Sequence, residues 1–234
     1  MPDHKTPSVI LICIAVALVA YFLGSIPTGY LVGKAKGIDL RTMGSGNIGA
    51  TNAFRILGKP AGIFVLVVDG LKGWMAVALV PGLIYGLLKH STDHLDPETE
   101  EYLKMVAGIS VILGHNYTCW LKFKGGKGIA TSAGVLAALI PIAFMVGLFT
   151  WIIVSFATRY VSVGSIAAAL SLPIATLIGH YYYPANYSYR LVLIAAIMGA
   201  LAIYKHKGNI ERLRNGTENK IGRKKTPPPT GVSS

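Results

Sequence analysis

Long apolar runs with almost no charge constrain this chain more than any other feature of its sequence. Residues 8–33 and 129–157 contain no charged side chain. Over the whole chain 53% of residues are hydrophobic and only 14% are charged, and the mean hydropathy is +0.54. Because about a quarter of the residues in a soluble domain are charged, the sequence excludes an ordinary soluble domain and predicts several membrane-spanning helices.

Positive charge is concentrated in three polar segments between or after these runs. Segment 34–60 holds five Lys or Arg against one acid, segment 115–128 holds three and no acid, and segment 205–225 holds eight against two acids. Segment 89–101 holds five acids instead. Since loops rich in Lys and Arg stay in the cytoplasm, we expect the three basic segments to lie inside and the acidic one outside.

This asymmetry sets the number of crossings, because the basic C-terminal segment returns to the cytoplasm only if residues 129–157 turn near Pro141. We therefore predict an all-α polytopic membrane protein of about seven short transmembrane helices, with the N-terminus out and the C-terminus in. The predicted segments are 8–33, 61–88, 102–114, the two parts of 129–157, 163–179 and 190–204. We expect residues 1–225 to form a single membrane domain and residues 226–234 to be a disordered tail.

The first basic segment contains the run GSGNIGATNAFR at residues 44–55. Glycine frees backbone N–H groups for close approach to an anion, and Arg offers a bidentate fork for phosphate. The simpler interpretation is a flexible turn between spans. A Walker loop is absent, and G-x-G-x-x-G without a preceding strand disfavours a dinucleotide fold. The candidate phosphate-binding residues here are Gly44, Ser45, Gly46, Asn47, Thr51, Asn52 and Arg55.

The second run, FKGGKG at residues 123–128, precedes a helix-like sequence directly. Backbone N–H groups at a helix start bind anions. The simpler interpretation is a positive-inside anchor followed by a glycine-rich helix entry. The candidate phosphate-binding residues here are Gly125, Gly126, Lys127 and Gly128.

Further polar residues outside the two glycine-rich runs are also candidates for the site. His206, Asn209 and Glu218 belong to a basic juxtamembrane stretch, which is also typical of a helix resting on anionic lipid. Ser165 stands at the start of a predicted span, where a small residue also favours helix packing. Asp69 and Lys72 lie three residues apart inside a predicted span and indicate either a structural ion pair or a functional site.

Familiar catalytic patterns are missing from the sequence. It contains no G-x-S-x-G elbow and no zinc motif such as H-E-x-x-H. His115 lacks the His-x4-Asp pattern of many acyltransferases, and His206 has only Glu211 at the equivalent spacing. We expect no metal and no cofactor.

With these motifs in this order, the chain resembles the bacterial acyl-phosphate:glycerol-3-phosphate acyltransferases (the PlsY family). The resemblance runs from GSIPTGYLVGK at residues 24–34 through GSGNIGATNAFR and GHNYTCWLKFKGGKGIAT to HKGNIERLRNGTE at residues 206–218. One departure is Thr118, where the family often has proline, and we expect it to affect loop stiffness more than chemistry.

The resemblance implies a compact seven-helix fold and a reaction. An acyl group moves from acyl phosphate to the sn-1 hydroxyl of glycerol 3-phosphate, giving lysophosphatidic acid and inorganic phosphate, by a substrate-assisted route. It also implies a multi-pass protein of the bacterial inner membrane whose active site faces the cytoplasm. The expected partners are the two substrates and membrane lipid, without nucleic acid, and the expected state is a monomer.

Position by position, the resemblance also implies site roles. The implied catalytic residues are Ser45, Arg55, Lys127, Ser165, His206 and Asn209, and Glu218 joins the phosphate-binding set. How the two substrate phosphates divide between the two glycine-rich loops stays open.

Two interpretations from other classes compete with an enzyme. A small phosphate-ester transporter would suit short spans with Asp69 and Lys72 inside one of them, but the sequence shows no repeat between its halves. A structural lipid-binding protein would use the basic tail alone, and it would leave the two glycine-rich loops unexplained.

Overall fold

The structure is a computed structural model, and it describes residues 9–89, 96–184 and 187–221. Every regular element in these ranges is helical. The α-helices are α1 (Val9–Ser25), α2 (Thr28–Ala35), α3 (Ala50–Leu57), α4 (Lys59–Ala78), α5 (Val80–Lys89), α6 (Pro97–Asn116), α7 (Ile129–Leu139), α8 (Pro141–Thr158), α9 (Val161–Tyr182), α10 (Tyr189–Lys205) and α11 (Lys207–Arg214). The predicted disordered tail, 226–234, lies outside the described residues, as does part of the acidic segment.

Four helical segments in the described ranges are long and apolar enough to cross a membrane. They are Val9–Ala35, which joins α1 and α2, and the helices α4, α8 and α9. A fifth arises if α10 and α11, bent by 52°, count as one span. The predicted all-helical membrane architecture is confirmed, whereas the number seven and the sidedness of the termini stay predictions.

Prolines set several of the helix boundaries. Pro27 lies between α1 and α2, and Pro81 follows the break between α4 and α5 at Leu79. Proline has no N–H to donate and its ring clashes with the carbonyl four residues earlier. The predicted segment 61–88 is therefore divided at Leu79 into the two helices α4 and α5. The helix also breaks at Ile140, directly before Pro141, where a turn was expected.

Helix α6 begins earlier than its apolar part. Asp96 caps it, because its carboxylate accepts a hydrogen bond from the Thr99 amide at 2.9 Å, and Pro97 occupies the first turn. Both are favourable helix starts. The predicted segment 102–114 is too short for this reason: hydropathy detects the apolar stretch, and the polar first turn lies before it.

Close helix packing depends on glycine. A Cβ on Gly24 of α1 would lie 2.1 Å from the Val111 carbonyl oxygen of α6. In the same way, a Cβ on Gly114 of α6 would lie 2.1 Å from the Tyr21 carbonyl oxygen of α1. Helix α4 meets α7 in the same way, through Gly73 and Gly134. Small residues at these contacts bring backbones together, as in other membrane helix pairs.

Large apolar side chains are exposed over the helix faces, among them Ile10 at 72% and Phe156 at 68%. Such a surface suits lipid rather than water. At the end of the bundle where α6 begins, Arg190 pairs with Glu98 and Glu101, at 3.0 and 2.9 Å. The three basic segments, 34–60, 115–128 and 205–225, meet at the other end of α6, close to His115 and Asn116.

Candidate active site

A cavity of about 130 Å³ lies where the three motif segments meet. The predicted site residues that line it are Ser45, Asn47, Thr51, Asn52, Arg55, Lys127, Gly128, Ser165, His206, Asn209 and Glu218. The predicted residues Gly44, Gly46, Gly125 and Gly126 are not among its lining residues. Segments far apart in the chain thus converge on one cavity.

Asn52 holds the first glycine-rich loop in shape. Its side chain is 1% exposed; Oδ1 accepts a hydrogen bond from the Ser45 amide at 3.0 Å, and Nδ2 donates to the carbonyls of Leu40 and Met43. Gly44 has φ of +62°, and a Cβ there would lie 2.3 Å from Asn52 Oδ1. Gly44 and Asn52 therefore shape the loop, and Ser45 between them lines the cavity.

The start of α3 lines the same cavity. The Asn47 side chain accepts a hydrogen bond from the Gly49 amide at 2.7 Å, just before the helix begins at Ala50. The first amides of a helix have no intrahelical acceptor and favour an anion. Arg55 lies one turn further on, and no hydrogen-bond or ion-pair partner for it occurs among the described residues.

The second glycine-rich loop is fixed against the end of α6. The Gly125 amide donates to the Asn116 carbonyl at 3.1 Å and the Gly126 amide to the His115 carbonyl at 3.0 Å. A Cβ on Gly126 would lie 2.0 Å from His115 Nε2. These two glycines permit close packing on α6, and the cavity itself receives Lys127 and Gly128.

Thr118, where the resemblance led us to expect proline, is fully buried. Its hydroxyl donates to the Ser25 carbonyl at 2.6 Å, which ties the loop to the end of α1. Its φ of −63° is one that proline also adopts. The threonine therefore keeps a backbone shape compatible with proline and adds a hydrogen bond that proline cannot make.

Lys127 is a half-buried cation in the cavity wall. Its ammonium donates to Asn209 Oδ1. Burial lowers the pKa of Lys127 to about 8, and the positive charge of Arg212 acts in the same direction. The Glu218 carboxylate opposes that shift. The ammonium is paired with a neutral amide, so its charge is available to an anion.

Glu218 connects the C-terminal segment to two other elements. Its Oε1 accepts hydrogen bonds from Asn209 Nδ2 at 2.7 Å and from the Ser162 hydroxyl at 3.1 Å, and its Oε2 accepts one from Arg212 Nε at 2.7 Å. The Ile221 amide reinforces this contact by donating to the Arg159 carbonyl at 2.8 Å. The segment after α11 therefore folds back onto the junction of α8 and α9.

Two further predicted residues have their hydrogen bonds defined. His206 Nδ1 lies 2.7 Å from the Ala202 carbonyl oxygen. Because a carbonyl only accepts, Nδ1 carries a proton, and in the neutral imidazole Nε2 is then an acceptor. The Ser165 hydroxyl donates to the Val161 carbonyl at 3.0 Å and accepts from Trp151 Nε1 at 3.2 Å. Among the described residues, neither hydrogen bond of the Ser165 hydroxyl joins it to a base that would make it a nucleophile.

The prediction of site residues omitted several polar or aromatic side chains that line the cavity: Asp69, His115, Trp151, Ser162 and Asn219. The sequence did indicate Asp69 as a possible site residue, since it is an ionisable residue within an apolar span. No feature of the sequence indicated Trp151. The described residues contain no group of three or more His, Cys, Asp or Glu side chains able to hold a metal ion.

The chain is similar to known proteins over most of its length. The family model described as glycerol-3-phosphate acyltransferase matches residues 14–216. Proteins of that name from Chlorobaculum parvum and Geotalea daltonii are 39% and 42% identical, over 89% and 86% of this chain and 96% and 93% of theirs.

Two crystal structures of PlsY, an integral membrane glycerol 3-phosphate acyltransferase, are also similar. The glycerol 3-phosphate form has a TM-score of 0.74 at 36% identity, covering 90% of this chain and 96% of its own. The lysophosphatidic acid form has a TM-score of 0.71 at 35% identity, covering 92% and 96%.

Proposed function

The chain belongs to the glycerol-3-phosphate acyltransferase family, and on that premise we propose that its acyl donor is acyl phosphate. The glycerol 3-phosphate sn-1 oxygen attacks the acyl carbonyl carbon, and the bond from that carbon to the phosphate oxygen breaks. The hydroxyl proton passes to a phosphate oxygen. The products are lysophosphatidic acid and inorganic phosphate.

One observation carries the proposal: anion-binding groups from two separate loops face a single cavity. Ser45, Arg55 and the start of α3 form one set, and Lys127 with the Gly128 backbone forms the other. An acceptor and a donor that both carry phosphate need two such sets side by side. Acyl phosphate supplies a second phosphate at the reacting centre.

The cavity also suits a donor that is already activated. An acyl phosphate is a mixed anhydride, so its transfer requires no enzymatic nucleophile. The Ser165 and Ser162 hydroxyls donate to the Val161 carbonyl and to Glu218, respectively. Preorganised donors stabilise the charge that develops on the attacked carbonyl and on the departing phosphate, while the loops align the two substrates.

Proton transfer to a substrate phosphate is supported by the contacts that already occupy most ionisable side chains around the cavity. His115 Nε2 is covered by the backbone of Gly126, and Glu218 already accepts three hydrogen bonds. Asp69 is paired with Lys72. His206 Nε2 remains, and we assign it to positioning a substrate hydroxyl, with the phosphate as final proton acceptor.

The remaining residues fall into supporting roles. Gly44, Gly46 and Asn52 shape the first loop, and Asn209 orients the Lys127 ammonium. Glu218 is a carboxylate, which repels phosphate at close range, so its contribution to phosphate binding is to hold Asn209 and the nearby Arg212 and Ser162 side chains in place.

We place the enzyme in the bacterial inner membrane with this cavity on the cytoplasmic side. The charge asymmetry of the loops supports this side, and glycerol 3-phosphate is a water-soluble anion that reaches the cavity from the cytoplasm. The acyl chain would lie among apolar side chains next to lipid. The protein acts as a monomer in this proposal.

A donor comparison tests the proposal. Purified protein in lipid is given glycerol 3-phosphate with palmitoyl phosphate, palmitoyl-CoA or palmitoyl-acyl carrier protein, and lysophosphatidic acid and inorganic phosphate are both quantified. We expect equal amounts of the two products from palmitoyl phosphate and none from the thioesters. Acylation from palmitoyl-CoA at a comparable rate would assign the protein a different donor.

A further inference from the structure

Asp69 and Lys72 form a buried ion pair in the middle of an apolar helix. Lys72 Nζ lies 2.8 Å from Asp69 Oδ1, and the two side chains are 4% and 2% exposed. Charged groups inside a membrane protein are costly and occur mostly where they serve a site or pair with one another. This pair does both, because Asp69 also lines the cavity.

The pair joins three separate parts of the chain. The Thr28 hydroxyl at the start of α2 donates to Asp69 Oδ1 at 3.0 Å, and Lys72 Nζ donates to the Ile26 carbonyl at the break between α1 and α2, also at 3.0 Å. His115 Nδ1, near the end of α6, lies 3.8 Å from the same carboxylate oxygen.

His115 carries the connection to the second glycine-rich loop. Its carbonyl accepts the Gly126 amide at 3.0 Å, and Gly126 packs directly on its ring. The next residue is Lys127, which faces the cavity. A continuous set of contacts therefore leads from the ion pair through the His115 ring to the loop that presents Lys127.

We propose that the Asp69–Lys72 pair is a positioning centre that fixes the second glycine-rich loop, and with it the Lys127 ammonium, relative to α4 and the α1–α2 break. This inference deepens the proposed function and rests on it. The pair acts through Lys127 and touches no substrate in this account. Its polar contacts are directional, so apolar packing of the same volume would hold the helices together without setting the loop.

A volume-conserving double variant, D69N/K72M, separates this role from stability. It removes both charges together, so that no buried charge is left unpaired. E100Q/K104M is the matched control, because Glu100 and Lys104 form a partly exposed ion pair at 2.6 Å on α6 and neither lines the cavity. Thermal unfolding, kcat and KM for glycerol 3-phosphate are measured for each.

We expect D69N/K72M to unfold near the wild-type temperature while kcat/KM falls on the order of 100-fold, the effect of misplacing a binding group by about 1 Å. The control should retain wild-type kinetics. Adding K127M to the wild type and to D69N/K72M then tests whether the ion pair acts through Lys127. If it does, K127M lowers kcat/KM much less in D69N/K72M than in the wild type. Equal losses from K127M in both backgrounds would overturn the proposal.

Equilibrium binding of glycerol 3-phosphate and of inorganic phosphate, each measured separately on the same variants, needs no acyl donor and keeps the two proposals apart. If palmitoyl phosphate is not a donor but D69N/K72M and K127M weaken binding non-additively, the positioning role stands and the proposed donor fails. If D69N/K72M does not fold, T28V and T28S decide. Loss of binding in T28V with recovery in T28S supports the role, and wild-type binding in T28V refutes it.

Discussion

Replacing Lys127 with methionine tests the site assignment most economically. Lys127 is half-buried, and its ammonium contacts the neutral amide of Asn209, so its charge is free to meet a phosphate. A hydrogen bond to a charged group contributes about 1.5–3 kcal/mol. At about 1.4 kcal/mol per tenfold change, we expect kcat/KM to fall by roughly one to two decades while the protein still inserts and purifies normally.

The same residue predicts a pH dependence with a definite sign. The pKa of Lys127 is lowered to about 8 by burial. The ammonium is charged below that value and loses its proton as the pH rises through it, so anion binding weakens on the alkaline side. The profile of kcat/KM reports the free enzyme and should decline above about pH 8. A bound phosphate favours the charged form, so the decline in kcat should lie at higher pH.

The assay measures lysophosphatidic acid from palmitoyl phosphate and glycerol 3-phosphate between pH 6 and 10, in lipid. K124M is the matched control, because Lys124 belongs to the same loop but is exposed and does not line the cavity. It should keep wild-type kinetics and the same alkaline decline. Wild-type turnover in K127M, or an unchanged alkaline decline in that variant, would refute the reasoning.

Three further outcomes are expected. E218Q should lower kcat/KM because it weakens the contact with Arg212, whereas T217A, a change at an exposed neighbour, should not. If E218Q is as active as T217A, Glu218 has no role in the site. H206A and H115A should lose activity without rescue by imidazole at saturating substrates, and strong rescue of either would establish a histidine base, typically worth 10²–10⁴-fold. In a variant without native cysteines, single cysteines replace Thr42, Thr92 or Thr217, and intact cells are treated with an impermeant thiol reagent. Only the cysteine at position 92, in the predicted outer loop, should be labelled, and labelling at position 217 would overturn the predicted topology.

Much of the candidate site was predictable because its chemistry is local in sequence. Glycine-rich stretches that carry Lys or Arg predict anion binding, and Ser45, Arg55 and Lys127, which these stretches supply, all line the cavity. The roles of Gly125 and Gly126 were less visible. Their close packing on α6 depends on which helix end lies behind the loop, and only the tertiary structure specifies that.

The fold was predictable to a similar degree. Hydropathy detects apolar stretches, so it located the membrane segments but did not detect the capped start of α6 at Asp96. The break before Pro81 had a sequence signal in the proline itself. Trp151, in contrast, is one apolar residue among many in α8, and its hydrogen bond to Ser165 arises from how α8 and α9 meet.

The central claim is direct transfer between two phosphorylated substrates bound in one cavity. Rapid-quench mixing of the enzyme with ¹⁴C-labelled palmitoyl phosphate in the absence of glycerol 3-phosphate tests it. The account predicts no burst of inorganic phosphate and no radiolabelled protein, with both products appearing in equal amounts only after glycerol 3-phosphate is added. A phosphate burst matching the enzyme concentration, together with covalently labelled protein, would demonstrate an acyl-enzyme intermediate and contradict the account.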